Sequence, residues 1–181
     1  MKSNSDPKRR SVLKALVSTA VAALISPVGH ALAAADRQLS FFHTHTKKRL
    51  DVVFYRNGDF DESALAELNA FLGDFRTGDV ADMDPELFNL LFDIRESLGS
   101  SGTYEVISAY RSPKTNEALR KRSKGVVRNS QHLTGKAIDV RLTGIDTSQL
   151  RDMAIAAQRG GVGYYRKSDF VHIDTARVRR W

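Results

Sequence analysis

The sequence predicts an α+β domain in which helices pack on one face of a small antiparallel sheet. Residues 137–142 and 170–174 alternate between their two faces, so that two paired strands would place their aliphatic residues on one core face. Residues 61–76 and 84–99 instead have apolar residues three or four positions apart, which is the spacing of a helix with one buried face. These two kinds of pattern together indicate the fold class.

The first 35 residues are predicted to be a targeting segment outside the folded domain. Arg9 and Arg10 precede an apolar run over 15–28, and Ala33-Ala34-Ala35 offers a small-x-small cleavage site. An uncleaved membrane anchor is the alternative, but polar residues and a proline interrupt the run, and a spanning helix needs roughly 20 apolar residues. The paired arginines resemble a twin-arginine signal, which implies export of a folded protein. Residues 36–181 then form a single domain.

Most of the positive charge of the chain lies in that targeting segment. The full sequence has a net charge of +7, and residues 1–35 hold five basic residues against one acidic residue, so the mature domain carries +3. This small charge of mixed signs disfavours a nucleic-acid partner and is compatible with an anionic polymer. The chain has no cysteine, which excludes disulfides and thiolate ligands, so a zinc site has to use His and Asp.

The domain is predicted to begin with two strands, over 38–46 and 50–55, joined by a turn at Lys47-Lys48. His43 and His45 are two residues apart on the first strand and so would point to one face. This pair is one candidate metal site, the alternative to a site formed by His132, Asp139 and His172. Without a third ligand nearby, it is more simply explained as a pair of residues on the strand surface.

Two helices and a third strand follow. Asp61 or Ser63 could cap the first helix, and Asp84-Pro85 starts the second, with proline at the first helical position. The apolar residues of both helices are interpreted as packing, with no chemistry assigned. Residues 103–110 form the third strand, which leads into Arg111.

A basic loop, a helix and a glycine-rich segment lie in the second half of the chain. Residues 120–128 carry five basic side chains, which form either a solvated loop or a contact with an anionic polymer. A helix over 147–159 is predicted to end at the glycines of 160–163. This segment lacks the Lys-Ser/Thr of a P-loop, so its glycines are interpreted as turn residues.

The stretch 130–139 and the segment 169–172 together contain the side chains of a metal site. A straight helix would put His132 and Asp139 roughly 10 Å apart, which is awkward for two bonds of about 2 Å to one ion. A turn followed by a strand instead lets Asp139 meet His172 on the face opposite the aliphatic residues, and His132 can reach them from the turn. Each residue alone is more simply a hydrogen-bonded core residue, but two histidines and one aspartate can form a three-ligand zinc site.

The pattern Ser-x-His-x-x-Gly-x-Ala-x-Asp resembles the signature of the zinc D-alanyl-D-alanine peptidases. This group contains the VanX-type dipeptidases, D,D-carboxypeptidases and phage endolysin peptidases, and hedgehog signalling domains share its fold. The fixed positions of the signature are filled by Ser130, His132, Gly135, Ala137 and Asp139.

The resemblance implies one zinc ion per chain, bound by His132, Asp139 and His172, with water in the fourth position. It also implies a role for Arg111, because the segment Ser-Ala-Tyr-Arg-Ser is similar to the family segment that places an arginine over the substrate. Arg111 would bind the substrate carbonyl or the anion of the tetrahedral intermediate.

The resemblance implies a general base three residues before the last histidine ligand. The family usually has glutamate there, whereas this chain has Asp169, whose side chain is shorter by one methylene. The base accepts the proton of the attacking water and passes it to the leaving amine. Asp174 shares the predicted face of His172 and is the rival, although a supporting role beside the ligand suits it better.

The size and arrangement of the domain resemble exported murein endopeptidases of Gram-negative bacteria that carry a twin-arginine signal. This resemblance implies a monomeric periplasmic hydrolase, peripheral to the membrane at most, that cleaves peptide cross-links in peptidoglycan through a zinc-bound water. The bond is D-alanyl-diaminopimelate or diaminopimelate-diaminopimelate. The alternatives are a D,D- or L,D-carboxypeptidase that trims stem peptides and a non-catalytic zinc-containing module that binds the cell wall.

Overall fold

A computed structural model describes residues 35–181 apart from Lys124. The predicted targeting segment lies outside the described residues except for Ala35, so its export stays a prediction. Within the described part of the chain, no helix is long and apolar enough to cross a membrane.

Eight strands and four α-helices are found in the described residues. The strands are β1 Arg37–His43, β2 Arg49–Arg56, β3 Asp59–Phe60, β4 Tyr104–Ser108, β5 Ala137–Leu142, β6 Gly161–Tyr165, β7 Phe170–Asp174 and β8 Arg179–Arg180. The helices are α1 Glu62–Phe71, α2 Pro85–Ser97, α3 Pro113–Arg122 and α4 Thr147–Ala157, with a short 3-10 helix at Gln131–Thr134.

The strands form one mixed sheet in the order β3-β2-β1-β4-β5-β7-β6-β8. Most neighbouring strands are antiparallel, but β1 pairs with β4, and β6 with β8, in parallel. The antiparallel sheet expected from the sequence is therefore corrected to a mixed one. The reason lies in the connection between β1 and β4, which contains α1 and α2 and is long enough to return the chain to the starting edge before the strands pair.

Three helices pack on one face of the sheet, with α1 on β2, α2 on β1, and α4 on β5, β6 and β7. The aliphatic residues of this face form the core with those of the helices, and fully buried examples are Leu39, Leu91, Val106, Ile138 and Val171. Burial of such a side chain contributes roughly 1.5–3 kcal/mol to folding. The predicted α+β class is confirmed.

The first two helices begin at predicted caps. The carboxylate of Asp61 caps α1 by accepting the N–H groups of Ser63 and Ala64, and that of Asp84 caps α2 by accepting the N–H of Glu86. The first helix ends at Phe71, before the predicted end at Arg76, because the side chain of Asp74 accepts the N–H of Arg76 at 3.0 Å and holds a turn there.

The glycine-rich segment forms a strand where the sequence predicted a turn. Gly161 and Gly163 are two residues apart and so lie on the same face of β6. The end of the chain packs against that face. A Cβ on Gly161 would come within 2.3 Å of the Arg179 guanidinium, and a Cβ on Gly163 within 2.6 Å of the Trp181 indole. The turn interpretation is wrong for these two glycines, which keep the strand bare so that the tail can pack on it.

Candidate metal centre

Two neighbouring strands position two of the predicted ligands. The bounds predicted for β5 and β7 are confirmed, and Asp139 and His172 are Cα partners in their antiparallel register. Ile138 and Ile173 form the adjacent Cα pair and are fully buried in the core. Since successive residues of a strand point to opposite faces, Asp139 and His172 lie together on the face away from that core.

His132 reaches the same place from the 3-10 helix that precedes β5. Ser130 begins this helix, and its hydroxyl accepts the N–H of His132 at 3.4 Å. Gly135 ends the helix with a φ of +67°, and a Cβ there would come within 2.1 Å of the backbone oxygen of Asp82. The serine and the glycine of the motif thus shape the turn that carries the histidine.

The three side chains form one buried cluster. Each offers one ligand atom, and these atoms lie within 4.8 Å of one another. Asp139 Oδ1 is 2.9 Å from His172 Nδ1 and 3.3 Å from His132 Nε2. Tetrahedral zinc with bonds of about 2 Å holds its ligand atoms roughly 3.3 Å apart, so the donor set and its spacing fit this ion.

The second nitrogen of each imidazole ring is also held. His132 Nδ1 lies 2.6 Å from the backbone oxygen of Ala109. Because a carbonyl oxygen only accepts, Nδ1 carries a hydrogen, and Nε2 is the ring nitrogen that faces Asp139. His172 Nε2 lies 2.9 Å from Asp174 Oδ2. Contacts of this kind fix the ring orientation of metal-binding histidines.

Asp174 is fully buried and is surrounded by donors. Its carboxylate accepts the N–H groups of Gly161 and Ala176, both at 3.0 Å, and the guanidinium of Arg179 at 2.6 Å. Burial would raise the pKa of Asp174, but the contacts with His172 and Arg179 and the backbone N–H groups hold it well below the ordinary value. Asp174 is therefore an ionised carboxylate that supports His172.

The electrostatics of the cluster favour a cation. Burial would raise the pKa of Asp139, yet the charges and hydrogen bonds of His132 and His172 hold it well below the ordinary value. Burial would lower the pKa of His172, yet Asp139 and Asp174 raise it. The two carboxylates thus draw positive charge to this point, and a divalent metal ion can supply that charge.

Arg111 lies beside the cluster. Its backbone N–H donates to the carbonyl of His132 at 3.0 Å, and its guanidinium donates to Asn116 at 3.3 Å and Ser108 at 3.5 Å. Burial lowers the pKa of Arg111, and the charge of Asp139 opposes this effect. Among the described residues, none provides an acceptor for the buried Nε of Arg111. A buried donor in this position suits an oxygen atom of a bound ligand.

The family model described as "Peptidoglycan L,D-endopeptidase MepK" matches residues 31–181. The chain belongs to this family. Its membership confirms the resemblance to the zinc D-alanyl-D-alanine peptidases that the motif in 130–139 indicated. It also confirms the prediction that the protein is an enzyme of the peptidase class.

Relatives of the chain carry the same description. Peptidoglycan L,D-endopeptidase MepK of Escherichia coli (strain K12) is 38% identical over 179 residues, which cover 97% of this chain and 98% of the relative. The protein of that name from Shigella flexneri is also 38% identical over 179 residues. Probable peptidoglycan L,D-endopeptidase MepK of Haemophilus influenzae is 40% identical over 146 residues, 80% of this chain and 78% of the relative. No solved structure matches the chain significantly.

The structure does not bring Asp169, the predicted base, to the cluster. Asp169 lies just before β7 with a φ of +51°, and its side chain is 63% exposed. Its Oδ1 accepts the hydroxyl of Thr147 at 2.7 Å, and its Oδ2 lies 3.4 Å from Nε of Arg141. The carboxylate is therefore turned towards the start of α4, and the metal ligands lie farther along β5 and β7.

The structure also keeps His43 and His45 away from the cluster. His43 is buried, and its Nδ1 accepts the N–H of His45 at 3.2 Å and that of Thr46 at 3.4 Å. The ring of His45 stacks on Phe75 with centroids 4.3 Å apart. Burial is the main cause that lowers the pKa of His43 to about 4, so this imidazole is neutral at physiological pH.

Two residues near the site were not predicted from the sequence. Arg179 pairs with Asp174, and the indole of Trp181 lies 5.2 Å from the ring of His172 between centroids. The signal that could have found them is the alternation of Gly161 and Gly163. Glycines two apart leave one face of a strand bare, which indicates that another segment packs there.

Proposed function

We propose that this protein is a zinc-dependent murein endopeptidase that cleaves peptide cross-links in peptidoglycan. The observation that carries the proposal is the buried cluster of His132, Asp139 and His172, whose ligand atoms lie within 4.8 Å of one another. Three protein ligands of this kind, with a fourth position left open, are the arrangement of catalytic zinc sites. The name of the relatives supports peptidoglycan as the substrate.

The residues around the cluster prepare it for this chemistry. Zinc bound there would lower the pKa of a bound water and polarise a peptide carbonyl. Ala109 and Asp174 hold the two histidines so that Nε2 of His132 and Nδ1 of His172 face Asp139. A rigid ligand set of this kind does not have to reorganise during the reaction.

Arg111 is proposed to bind an oxygen of the substrate. Its guanidinium is held by Asn116 and Ser108, while its buried Nε has no acceptor within the described part of the chain. A permanent cation with a fixed fork of donors stabilises negative charge that develops on a carbonyl oxygen. The oxygen of the cleaved peptide bond fits this description.

The proton acceptor stays a prediction. Asp169 holds the position of the family base, but its carboxylate contacts Thr147. Asp174 contacts His172, but it is fully buried and already accepts Arg179 and two backbone N–H groups, so it has no free position for water. The variant Asp169→Ala tests the prediction, because an enzyme that uses this carboxylate loses turnover and keeps its metal.

The name of the relatives favours one of the two cross-links. An L,D-endopeptidase cuts between an L centre and a D centre, which describes the diaminopimelate-diaminopimelate bond, whereas the D-alanyl-diaminopimelate bond joins two D centres. We therefore propose the diaminopimelate-diaminopimelate cross-link as the preferred substrate. Export by the twin-arginine route and removal of residues 1–35 would place the mature monomer in the periplasm beside this polymer.

The test is zinc content together with muropeptide cleavage, measured on the mature wild type and on His132→Ala. We expect bound zinc and cleavage of cross-linked muropeptides in the wild type, and loss of both in the variant. A second comparison uses dimers with each cross-link, and release of free D-alanine would reveal a carboxypeptidase. Zinc without cleavage of any muropeptide would favour the binding module, and absence of zinc from the wild type would refute the metal site.

A further inference from the structure

An aromatic wall stands beside the metal cluster on the same face of the sheet, and it consists of Tyr165, Phe170 and Trp181. The indole of Trp181 lies 5.2 Å from the ring of His172 between centroids, and its Nε1 donates to the hydroxyl of Tyr165 at 3.1 Å. The ring of Tyr165 stacks on Phe170 with centroids 4.6 Å apart and an interplanar angle of 16°. The wall therefore reaches the metal cluster through Trp181.

The position of Trp181 is fixed by the backbone of β6. Its N–H donates to the carbonyl of Val162 at 3.2 Å, and its carbonyl accepts the N–H of Tyr164 at 3.1 Å. Gly163, the Cα partner of His172, leaves room for the indole, since a Cβ there would come within 2.6 Å of it. Main-chain bonds on both sides and a bare floor show that the indole is seated in this place.

The hydroxyl of Tyr165 is a donor with no assigned acceptor. It uses one lone pair to accept the indole N–H, which leaves its own hydrogen to be donated elsewhere. The described residues show no hydrogen bond donated by this hydroxyl, and Tyr165 is 37% exposed. The stacking on Phe170 restrains the ring, so the hydroxyl is an oriented donor open to solvent beside the cluster.

Tyr165 and Arg111 both lie close to the cluster. The backbone N–H of Arg111 donates to the carbonyl of His132 at 3.0 Å, and Tyr165 is joined to His172 through the indole of Trp181. A peptide bound at the metal ligands would therefore lie near both a guanidinium and a phenol. Both groups donate hydrogen bonds, and peptide backbones and carboxylates offer oxygen acceptors.

We propose that Tyr165 contacts the substrate, its hydroxyl donating a hydrogen bond to a carbonyl or carboxylate oxygen of a stem peptide bound at the metal cluster. Trp181 holds this hydroxyl through its indole N–H and forms the side of the cleft. The inference rests on the proposed function for the identity of the ligand, and it assigns to the aromatic wall the role of recognising the stem peptide.

The test compares Tyr165→Phe with the matched control Tyr164→Phe in the mature, zinc-loaded protein. Both changes remove one hydroxyl from β6, but Tyr164 faces the helices, where the guanidinium of Arg151 lies 4.7 Å from its ring centroid. Tyr165→Phe keeps the stacking on Phe170. We expect it to lower kcat/KM for cross-linked muropeptides about tenfold, with zinc content unchanged, and the control to stay within about twofold of the wild type.

A second measurement follows binding without cleavage. Trp181 is the only tryptophan of the sequence, so its fluorescence reports directly on the wall. Titration with an uncross-linked disaccharide tetrapeptide should change this fluorescence saturably, and Tyr165→Phe should weaken the apparent affinity several-fold while Tyr164→Phe does not.

The outcomes separate this inference from the proposed function. Equal cleavage and equal titration curves for Tyr165→Phe and wild type would overturn the inference and leave the endopeptidase intact. Loss of zinc from Tyr165→Phe would also overturn it, because the residue would then support the metal site. If the wild type cleaves no muropeptide, the proposed function fails, and the fluorescence titration alone decides: weaker binding by Tyr165→Phe upholds the contact, and no response of Trp181 refutes it.

Discussion

The four histidines in the described part of the chain form two pairs, and only one pair surrounds a carboxylate. His132 and His172 point ring nitrogens at Asp139 Oδ1, at 3.3 and 2.9 Å. His43 and His45, two residues apart, have ring centroids 6.0 Å apart, and His43 uses its Nδ1 to accept backbone N–H groups. His43 and His45, which are close in sequence, thus share no carboxylate, whereas His132 and His172 share Asp139.

The two pairs also differ in charge. Burial, with smaller contributions from the charges of His45 and Arg76, lowers the pKa of His43 to about 4. Burial acts on His172 in the same direction, but Asp139 and Asp174 outweigh it and raise the pKa. A buried histidine is therefore neutral by default, and the carboxylates around it decide whether the place attracts a cation.

The largest effect is expected from removing the carboxylate charge that His132 and His172 share. Asp139→Asn should lose bound zinc and lower muropeptide cleavage by about 10³-fold or more, because an amide is a poor zinc ligand. His43→Gln is the control, since His43 contributes no atom to the cluster, and it should keep both zinc and activity. Metal analysis and cleavage assays measure the two quantities, and zinc loss from a folded His43→Gln would contradict the assignment.

A smaller effect is expected from Asp174→Asn. The ring of His172 would lose the ionised partner of its Nε2, so zinc affinity should fall about 10- to 100-fold. Asp169→Asn is the matched change, because that carboxylate contacts Thr147 and not the cluster. Competition with a chelator gives both affinities, and equal affinities for the two variants would remove the proposed support of His172.

The burial of His43 predicts that the stability of the protein depends on pH. The folded protein binds a proton at His43 with a pKa of about 4, below the ordinary value of 6.5, so the unfolded chain takes up that proton first as the pH falls. The neutral His43 therefore contributes stability that is complete above pH 6.5. As the pH falls from 6.5 to 4, the free energy of unfolding decreases by about 2–3 kcal/mol. Urea unfolding of wild type and His43→Gln across this range should show the larger loss in the wild type. Parallel curves would contradict the prediction.

The smallest effect is expected from His45→Ala. The ring of His45 is exposed and stacks on Phe75, so its removal should cost less than about 1 kcal/mol of unfolding free energy. Zinc content and cleavage should not change. A loss of zinc on this substitution would make His43 and His45 a candidate metal site again.

The parts of the fold that could be predicted depend on short-range patterns. β5 and β7 have the predicted bounds because their alternation of core-facing and outward-facing residues is unbroken, and α1 and α2 begin at Asp61 and Asp84 because a cap acts within one turn. The parallel pairing of β1 with β4 could not be predicted in this way, since it depends on where α1 and α2 return the chain.

The parts of the site that could be predicted follow the same division. The motif that contains His132 and Asp139 was visible because its serine and glycine shape a local turn. The family resemblance implied Asp169 as the base, but the direction of its side chain depends on contacts with Thr147 and Arg141, which are distant in sequence. Such contacts leave no local pattern.

The sequence by itself determined the turn at Gly135, the facing of Asp139 away from the core and the type of ligand atoms, because backbone conformation and side-chain chemistry are local properties. The tertiary structure alone decided that Asp174 supports His172 and that the tail covers β6. Those arrangements arise from packing between distant segments, where a bare glycine face and a buried carboxylate find their partners only when the sheet has formed.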